Sequence, residues 1–249
     1  IGVHLLNLLT IPAIVLVYYF RRYKFTWWGV ISAFLISCLL LVVILYGIIP
    51  GVPTIAGWFE LLFVNAFGCP FNTGLLVYLV LTLSFLIWAI IETYKDKSKV
   101  RAIIISTIAI LFVGAPFLWG SIALGILLSS AILVLLIIFR NKIKFSILNT
   151  ALTMVAVIFI GYGSYSATVI RSNADTPMDQ NSPDNVFALK SYLNREQYGD
   201  RPLFYGQYYN APVERKVQGN YCVPVEKKGH ANYAPAPKEE GKRDTYVKT

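Results

Sequence analysis

The sequence predicts an all-α polytopic membrane protein, six transmembrane helices followed by a small non-cytoplasmic α or α+β tail. Three observations carry this. Hydrophobic residues fill 56% of the 249 positions and charged residues only 14%, against roughly 25% charged in an ordinary soluble domain. The apolar residues are gathered into runs long enough for a helix to cross a hydrocarbon core, which takes roughly 20 residues. Up to residue 170 the basic residues are Arg21, Arg22, Lys24, Lys95, Lys97, Lys99, Arg101, Arg140, Lys142 and Lys144, in three short clusters between those runs. The net charge of +9 therefore belongs to loops and to a polar tail. It does not form a nucleic-acid surface, and no nucleic-acid partner is expected.

The predicted crossings are residues 3–20, 27–49, 73–91, 102–116, 120–139 and 145–170. The fourth and fifth come from one apolar stretch, 102–139, with Gly114, Pro116 and Gly120 marking the hairpin. With six crossings all three basic clusters fall on one side, which the positive-inside rule makes the cytoplasm. The protein is thus expected in the cell (inner) membrane, with its tail on the periplasmic or extracellular side. Between the second and third crossings, Pro50 and Pro53 predict a break, and residues 54–67 read as a short interfacial helix. Trp27, Trp28, Trp58 and Trp119 lie near predicted boundaries, as in an aromatic belt. The four-residue repeats Ser121, Gly125, Ser129 and Gly163, Ala167 predict helix-packing faces.

Three regions follow: 1–170, a transmembrane helical bundle and part of a larger one; 171–228, a non-cytoplasmic polar segment; and 229–249, a linker or disordered end. Ser182, Pro183 and Asp184 predict a helix start, with Ser182 as N-cap and the helix running to about Asn194. Residues 202–209 read as a short strand. The chain opens at Ile1 inside an apolar run without a charged leader, so it reads as a piece of a longer protein. Cys69 and Cys222 allow a disulfide, but free thiols are the expectation.

Candidate binding residues gather at the outer boundary: His4, Asn7, Glu60, Asn65, Asn72, Arg171 and Asn173. Glu60 is a carboxylate in the apolar context Trp58-Phe59-Glu60-Leu61-Leu62; it either snorkels to interfacial water or serves a site. His4 and Asn7 share a helix face by spacing. Arg171 directly follows the last crossing, where a guanidinium would meet a phosphate or act as an interfacial anchor. The middles of the crossings hold no Asp, Glu, Lys, Arg or His, which argues against a proton relay or a charged-substrate pathway. No metal-ligand spacing, Gly-rich phosphate loop or Gly-x-Ser-x-Gly elbow is present, and no cofactor is evident.

Four stretches carry a family resemblance. They are Gly2-Val3-His4-Leu5-Leu6-Asn7-Leu8-Leu9, Trp58-Phe59-Glu60-Leu61-Leu62-Phe63-Val64-Asn65, Ile170-Arg171-Ser172-Asn173-Ala174-Asp175, and Tyr192-Leu193-Asn194-Arg195-Glu196-Gln197-Tyr198-Gly199-Asp200. Through them the chain, up to about Tyr209, resembles the bacterial multi-pass family called domain of unknown function 2723, related to transmembrane protein O-mannosyltransferases. The resemblance implies a GT-C type glycosyltransferase that moves a sugar such as mannose from a polyprenyl-phosphate donor to a protein acceptor on the outer face. It also implies a catalytic carboxylate in an earlier outer loop, upstream of Ile1, so no residue here is assigned as the base and a metal requirement is left open. The alternatives are a non-enzymatic membrane scaffold with an envelope-facing tail, and a transporter of an apolar or lipid substrate. The lipid bilayer is a partner on every reading.

Overall fold

The computed structural model describes residues 8, 10–95, 97–117, 122–174, 176–177, 179, 182–194, 213–217, 222–227, 230–235 and 242–246. His4, Asn7 and the predicted strand at 202–209 lie outside the described residues. Most of the described chain is helical. In order come α1 (Thr10–Arg22), α2 (Trp27–Val42), a π-helical stretch (Val43–Ile48), α3 (Ile49–Leu61), a second π-helical stretch (Leu62–Ala66), α4 (Thr73–Lys95), α5 (Lys99–Phe112), α6 (Ile122–Ile138), α7 (Phe145–Tyr162), α8 (Tyr165–Ser172) and α9 (Val186–Leu193). Four strands follow, β1 (Val213–Val217), β2 (Cys222–Lys227), β3 (His230–Pro235) and β4 (Lys242–Tyr246).

A helix stands at each predicted crossing, but among the described residues three helical stretches are by themselves long and apolar enough to span a membrane. These are Trp27–Ala66 with 40 residues, Thr73–Lys95 with 23 and Phe145–Ser172 with 28. Helices α1, α5 and α6 have 13, 14 and 17 residues.

The predicted break at Pro50 does not occur. The helix beginning at Trp27 runs through Pro50 and Pro53 to Ala66, so residues 54–66 of the stretch predicted as 54–67 continue it and form no separate interfacial helix. Proline lacks an N–H and its ring strikes the carbonyl one turn back. Widening the turn just before Pro50, where the Ile49 N–H reaches Ile44 O, relieves that clash. Pro53 leaves the Ile49 carbonyl without its helical donor, and the Tyr162 hydroxyl donates to that oxygen at 3.1 Å.

The chain divides into two compact units, one of Ile1–Ile55 and Tyr78–Thr168, the other of Ala56–Val77 and Val169–Thr249. In the first, the buried core draws on small and apolar residues such as Leu86, Ala89, Ala102, Ile103, Ala109, Val113 and Leu152. Gly51 and Gly114 bring two backbones together: a Cβ on Gly51 would lie 2.4 Å from the Gly114 carbonyl oxygen, so no side chain fits there. Buried polar groups are paired within this core. Tyr78 donates to Phe112 O at 2.8 Å, and the Asn149 amide donates to Ile90 O and Thr93 Oγ1, both at 2.9 Å. Arg101 forms an ion pair with Glu92, its Nε, at 2.6 Å, and Nη2 both on the same carboxylate oxygen. Of the predicted packing faces, Gly125 and Ser129 are buried, whereas Gly163 and Ala167 are exposed. Large apolar side chains including Ile14, Val17, Ile126, Leu127, Ile147, Val157 and Ile160 stand exposed, which suits lipid and not water.

In the second unit the tail is α+β. Its helix starts later than predicted: Asn185 is the N-cap, accepting from the Phe187 and Ala188 N–H groups, each at 2.9 Å, and Ser182 lies outside with φ 36°. An Asx oxygen in extended backbone satisfies two orphan donors at once, so the cap falls to Asn185 and not to Ser182. Two antiparallel ribbons follow, β1 with β4 from Val213 opposite Tyr246 to Val217 opposite Lys242, and β2 with β3 from Cys222 opposite Pro235 to Lys227 opposite His230. Strands β3 and β4 thus occupy the stretch after 229 that the sequence presents as a linker. Both strands of a two-stranded ribbon are edges, where Pro224 and Pro235 are tolerated.

Candidate functional site

The second unit brings together three of the seven sequence candidates, Glu60, Asn65 and Asn72, around a residue the sequence did not single out, Tyr233. Glu60 lies near the end of α3 with a fully buried side chain. It does not snorkel. One carboxylate oxygen accepts the Asn72 N–H at 2.5 Å, the other the Leu75 N–H at 2.9 Å, and the Tyr233 hydroxyl donates to the first oxygen at 3.2 Å. A helix leaves its first N–H groups without intrahelical partners and carries partial positive charge at that end, so a carboxylate there is stabilising. Glu60 thus caps α4 from a neighbouring helix.

The reach is set by Gly74. A Cβ on Gly74 would lie 2.4 Å from Phe59 O and 2.5 Å from the Glu60 Cα, so the first turn of α4 rests directly on the backbone of α3. Asn72 turns the chain into α4 with φ 69°, a left-handed conformation that Asn tolerates better than most residues.

Asn65, in the second π-helical stretch, grips β3. Its Nδ2 donates to Tyr233 O at 2.9 Å and its Oδ1 accepts the Tyr233 N–H at 2.8 Å, so one side-chain amide pairs with both polar groups of one backbone residue. The Tyr233 ring meets Phe71 and Phe187 edge-on, with centroids 5.1 and 5.0 Å away. Burial, and then the adjacent Glu60 charge, push the Tyr233 phenol above its ordinary value, so it stays a donor at neutral pH.

Arg171 and Asn173 take no part in that cluster. Asn173 Nδ2 donates to Val169 O and Asp184 O, both at 2.8 Å, closing the turn after α8, and Ser172 beside it donates to Asp179 Oδ2 at 2.6 Å. Arg171 is exposed in the last turn of α8. Its guanidinium makes no hydrogen bond or ion pair among the described residues, which suits it to an external anion.

Cys69 and Cys222 are free thiols, and burial pushes the Cys222 thiol up. Among the described residues no group of three His, Cys, Asp or Glu side chains is placed to hold a metal. Tyr233 and Phe187 were missed because an aromatic residue in a polar tail carries no periodic signal, and Phe71 because it lies in the loop before α4 among many apolar residues; the Val223, Val225 alternation in β2 was a hint of a ribbon. No family model, no curated protein and no solved structure matches the chain.

Proposed function

We propose that the chain is part of a membrane glycosyltransferase that transfers a sugar such as mannose from a polyprenyl-phosphate donor to a protein acceptor on the outer face of the membrane. The observation that carries this reading is Arg171: an exposed guanidinium, free among the described residues, at the end of the apolar stretch Phe145–Ser172. A polyprenyl phosphate needs an apolar surface for its tail and a donor at the interface for its phosphate, and a guanidinium offers two parallel hydrogen bonds to phosphate oxygens. The family resemblance supplies the reaction class. The Glu60, Asn65 and Asn173 side chains are already engaged in internal hydrogen bonds, and Asn72 takes part through its backbone, so the reading gives the catalytic carboxylate to another part of the protein.

On this reading the chain crosses the membrane six times, and apolar sequence flanking α1, α5 and α6 completes their crossings. The linkers 21–24, 92–101 and 140–144 face the cytoplasm and the tail faces outward.

Sugar transfer by the full-length protein against donor concentration, at matched expression, tests the role of Arg171. Arg171→Lys keeps the charge but loses the fork, and weakens donor use. Arg171→Ala weakens it by roughly one to two decades, as expected for a charge-assisted bond of about 1.5 to 3 kcal/mol. Unchanged donor dependence in Arg171→Ala removes the phosphate role. A second reading, a non-enzymatic scaffold, is favoured by the wholly internal use of the Glu60, Asn65 and Tyr233 cluster; absence of any transfer from polyprenyl-phosphate sugars would select it.

A further inference from the structure

The turn between α1 and α2 concentrates cations that no acidic side chain pairs with among the described residues. Arg21 and Arg22 end α1 and Lys24 sits in the turn, all three exposed. No Asp or Glu occurs in the first 59 residues. The cluster from Lys95 to Arg101 differs, since Asp96 lies within it in the sequence and Arg101 is paired with Glu92 just before it.

The turn is ordered by its own side chains. The Tyr19 hydroxyl donates to Lys24 O at 3.0 Å and accepts the Thr26 N–H at 3.1 Å, while Thr26 Oγ1 caps α2 through the Gly29 N–H at 3.2 Å. Rings pack along it: Tyr19 stacks on Tyr23 at 5.9 Å, Phe20 on Phe25 at 6.3 Å, and Phe25 meets Trp27 edge-on at 5.4 Å. These contacts use only part of the ring surface, since Phe25 and Trp27 remain 57% and 74% exposed. The apolar side chains of Ile14 and Val17, one to two turns back along α1, are exposed as well.

From this arrangement we propose that the α1–α2 turn is a headgroup site for anionic phospholipid. The headgroup phosphate lies among Arg21, Arg22 and Lys24, the rings sit at the level of the glycerol backbone, and the acyl chains run along the exposed face of α1. Three cations beside aromatic and aliphatic surface fit an amphiphile; a soluble phosphate would leave the rings and the Ile14, Val17 surface unused. Because the turn is already ordered, binding needs little further ordering of the protein.

The experiment is native mass spectrometry of the protein released from nanodiscs of mixed phosphatidylglycerol and phosphatidylcholine. The protein is expected to retain phosphatidylglycerol preferentially. Gln at Arg21, Arg22 and Lys24 should weaken retention about fivefold per charge removed, whereas Gln at Arg140, Lys142 and Lys144 should leave most of it. Equal retention in the first triple variant, or an equal loss in the second, overturns the site in favour of diffuse charge attraction. Since these charges also help orient the hairpin in the membrane, a second measurement uses the unsubstituted protein. A photoactivatable phosphatidylglycerol should label the peptide around residues 19–28 more than a photoactivatable phosphatidylcholine does, and equal labelling by the two overturns the proposal.

Discussion

Glu60 accepts three hydrogen bonds with a side chain that has no contact with water, and this sets what substitution there should do. Gln has one acceptor oxygen and would turn an NH2 toward a backbone N–H. Glu60→Gln should therefore destabilise the protein by about 2 to 3 kcal/mol, the scale of a charge-assisted bond lost with a donor left unpaired. Tyr233→Phe removes one hydroxyl and leaves the cap intact, so about 1 kcal/mol is expected. Thermal unfolding in detergent, followed by tryptophan fluorescence, should rank the two variants in that order. The phenol also gives a pH signature. Its pKa is raised in the fold, so its contribution is full below the ordinary tyrosine value near 10 and is lost as pH rises beyond it. Protease cleavage in β2–β3 should accelerate progressively as pH rises above about 10 in the parent protein, and Tyr233→Phe should lose that rise. At this scale the sequence showed that Glu60 needed explaining, because a carboxylate among Trp, Phe and Leu is out of place. It did not show the explanation, since the Tyr233 hydroxyl lies 173 residues away along the chain and no local pattern joins the two.

Helices were legible wherever apolar runs were bounded by basic or polar residues, and α4 begins at Thr73 as read from the sequence. The stretch after Ile49 was not legible, because Pro50 and Pro53 carry a strong local signal for a break and the relief is tertiary. Two features make the continuous helix possible, a widened turn before Pro50 and the Tyr162 hydroxyl on the Ile49 carbonyl. The second predicts a coupled pair. Tyr162→Phe should cost about 1 kcal/mol with Pro53 in place, because a partly buried carbonyl then loses its donor. With Pro53→Ala the helix supplies its own N–H to Ile49 O, so the same Tyr162→Phe change should cost little. A double-mutant cycle measures the difference, and additive effects would show that Tyr162 stabilises the helix in some other way. The Asn185 cap illustrates a smaller displacement: Ser182 and Asn185 both have capping side chains, and only the backbone geometry chooses between them.

For the whole molecule, charge placement carries more information than length. Helices α1, α5 and α6 are short, yet all ten basic residues before 170 fall in three clusters that the proposed six crossings would put on one face. After replacement of Cys38, Cys69 and Cys222, a Cys introduced at Lys97 or Asn141 should resist an impermeant thiol reagent in intact cells, and one at Asn185 should react. Labelling at 97 with protection at 185 would reverse the orientation. The apolar helices were legible because a lipid environment would impose a compositional bias on every crossing. The ribbons β1–β4 and β2–β3 were hidden because their sequences, highly charged in the first and proline-containing in the second, resemble a linker, and β3 is held in part by Asn65 and Glu60 from far away in the sequence.

The clamp between Asn65 and Tyr233 joins positions 168 residues apart, and that separation can be read as a delay. At about 5 to 20 residues per second, synthesis needs on the order of 10 to 30 s to reach Tyr233 after Asn65 has been made. Throughout that interval the Asn65 amide lacks its strand, and Glu60 has only the N-terminus of α4 to bind. A two-stranded ribbon such as β2–β3 is marginal by itself in water, so it acquires order by docking and not before. The corner from α3 to α4 is therefore a nascent surface awaiting its last strand, and a chain released before residue 230 would keep the helices while leaving that surface open.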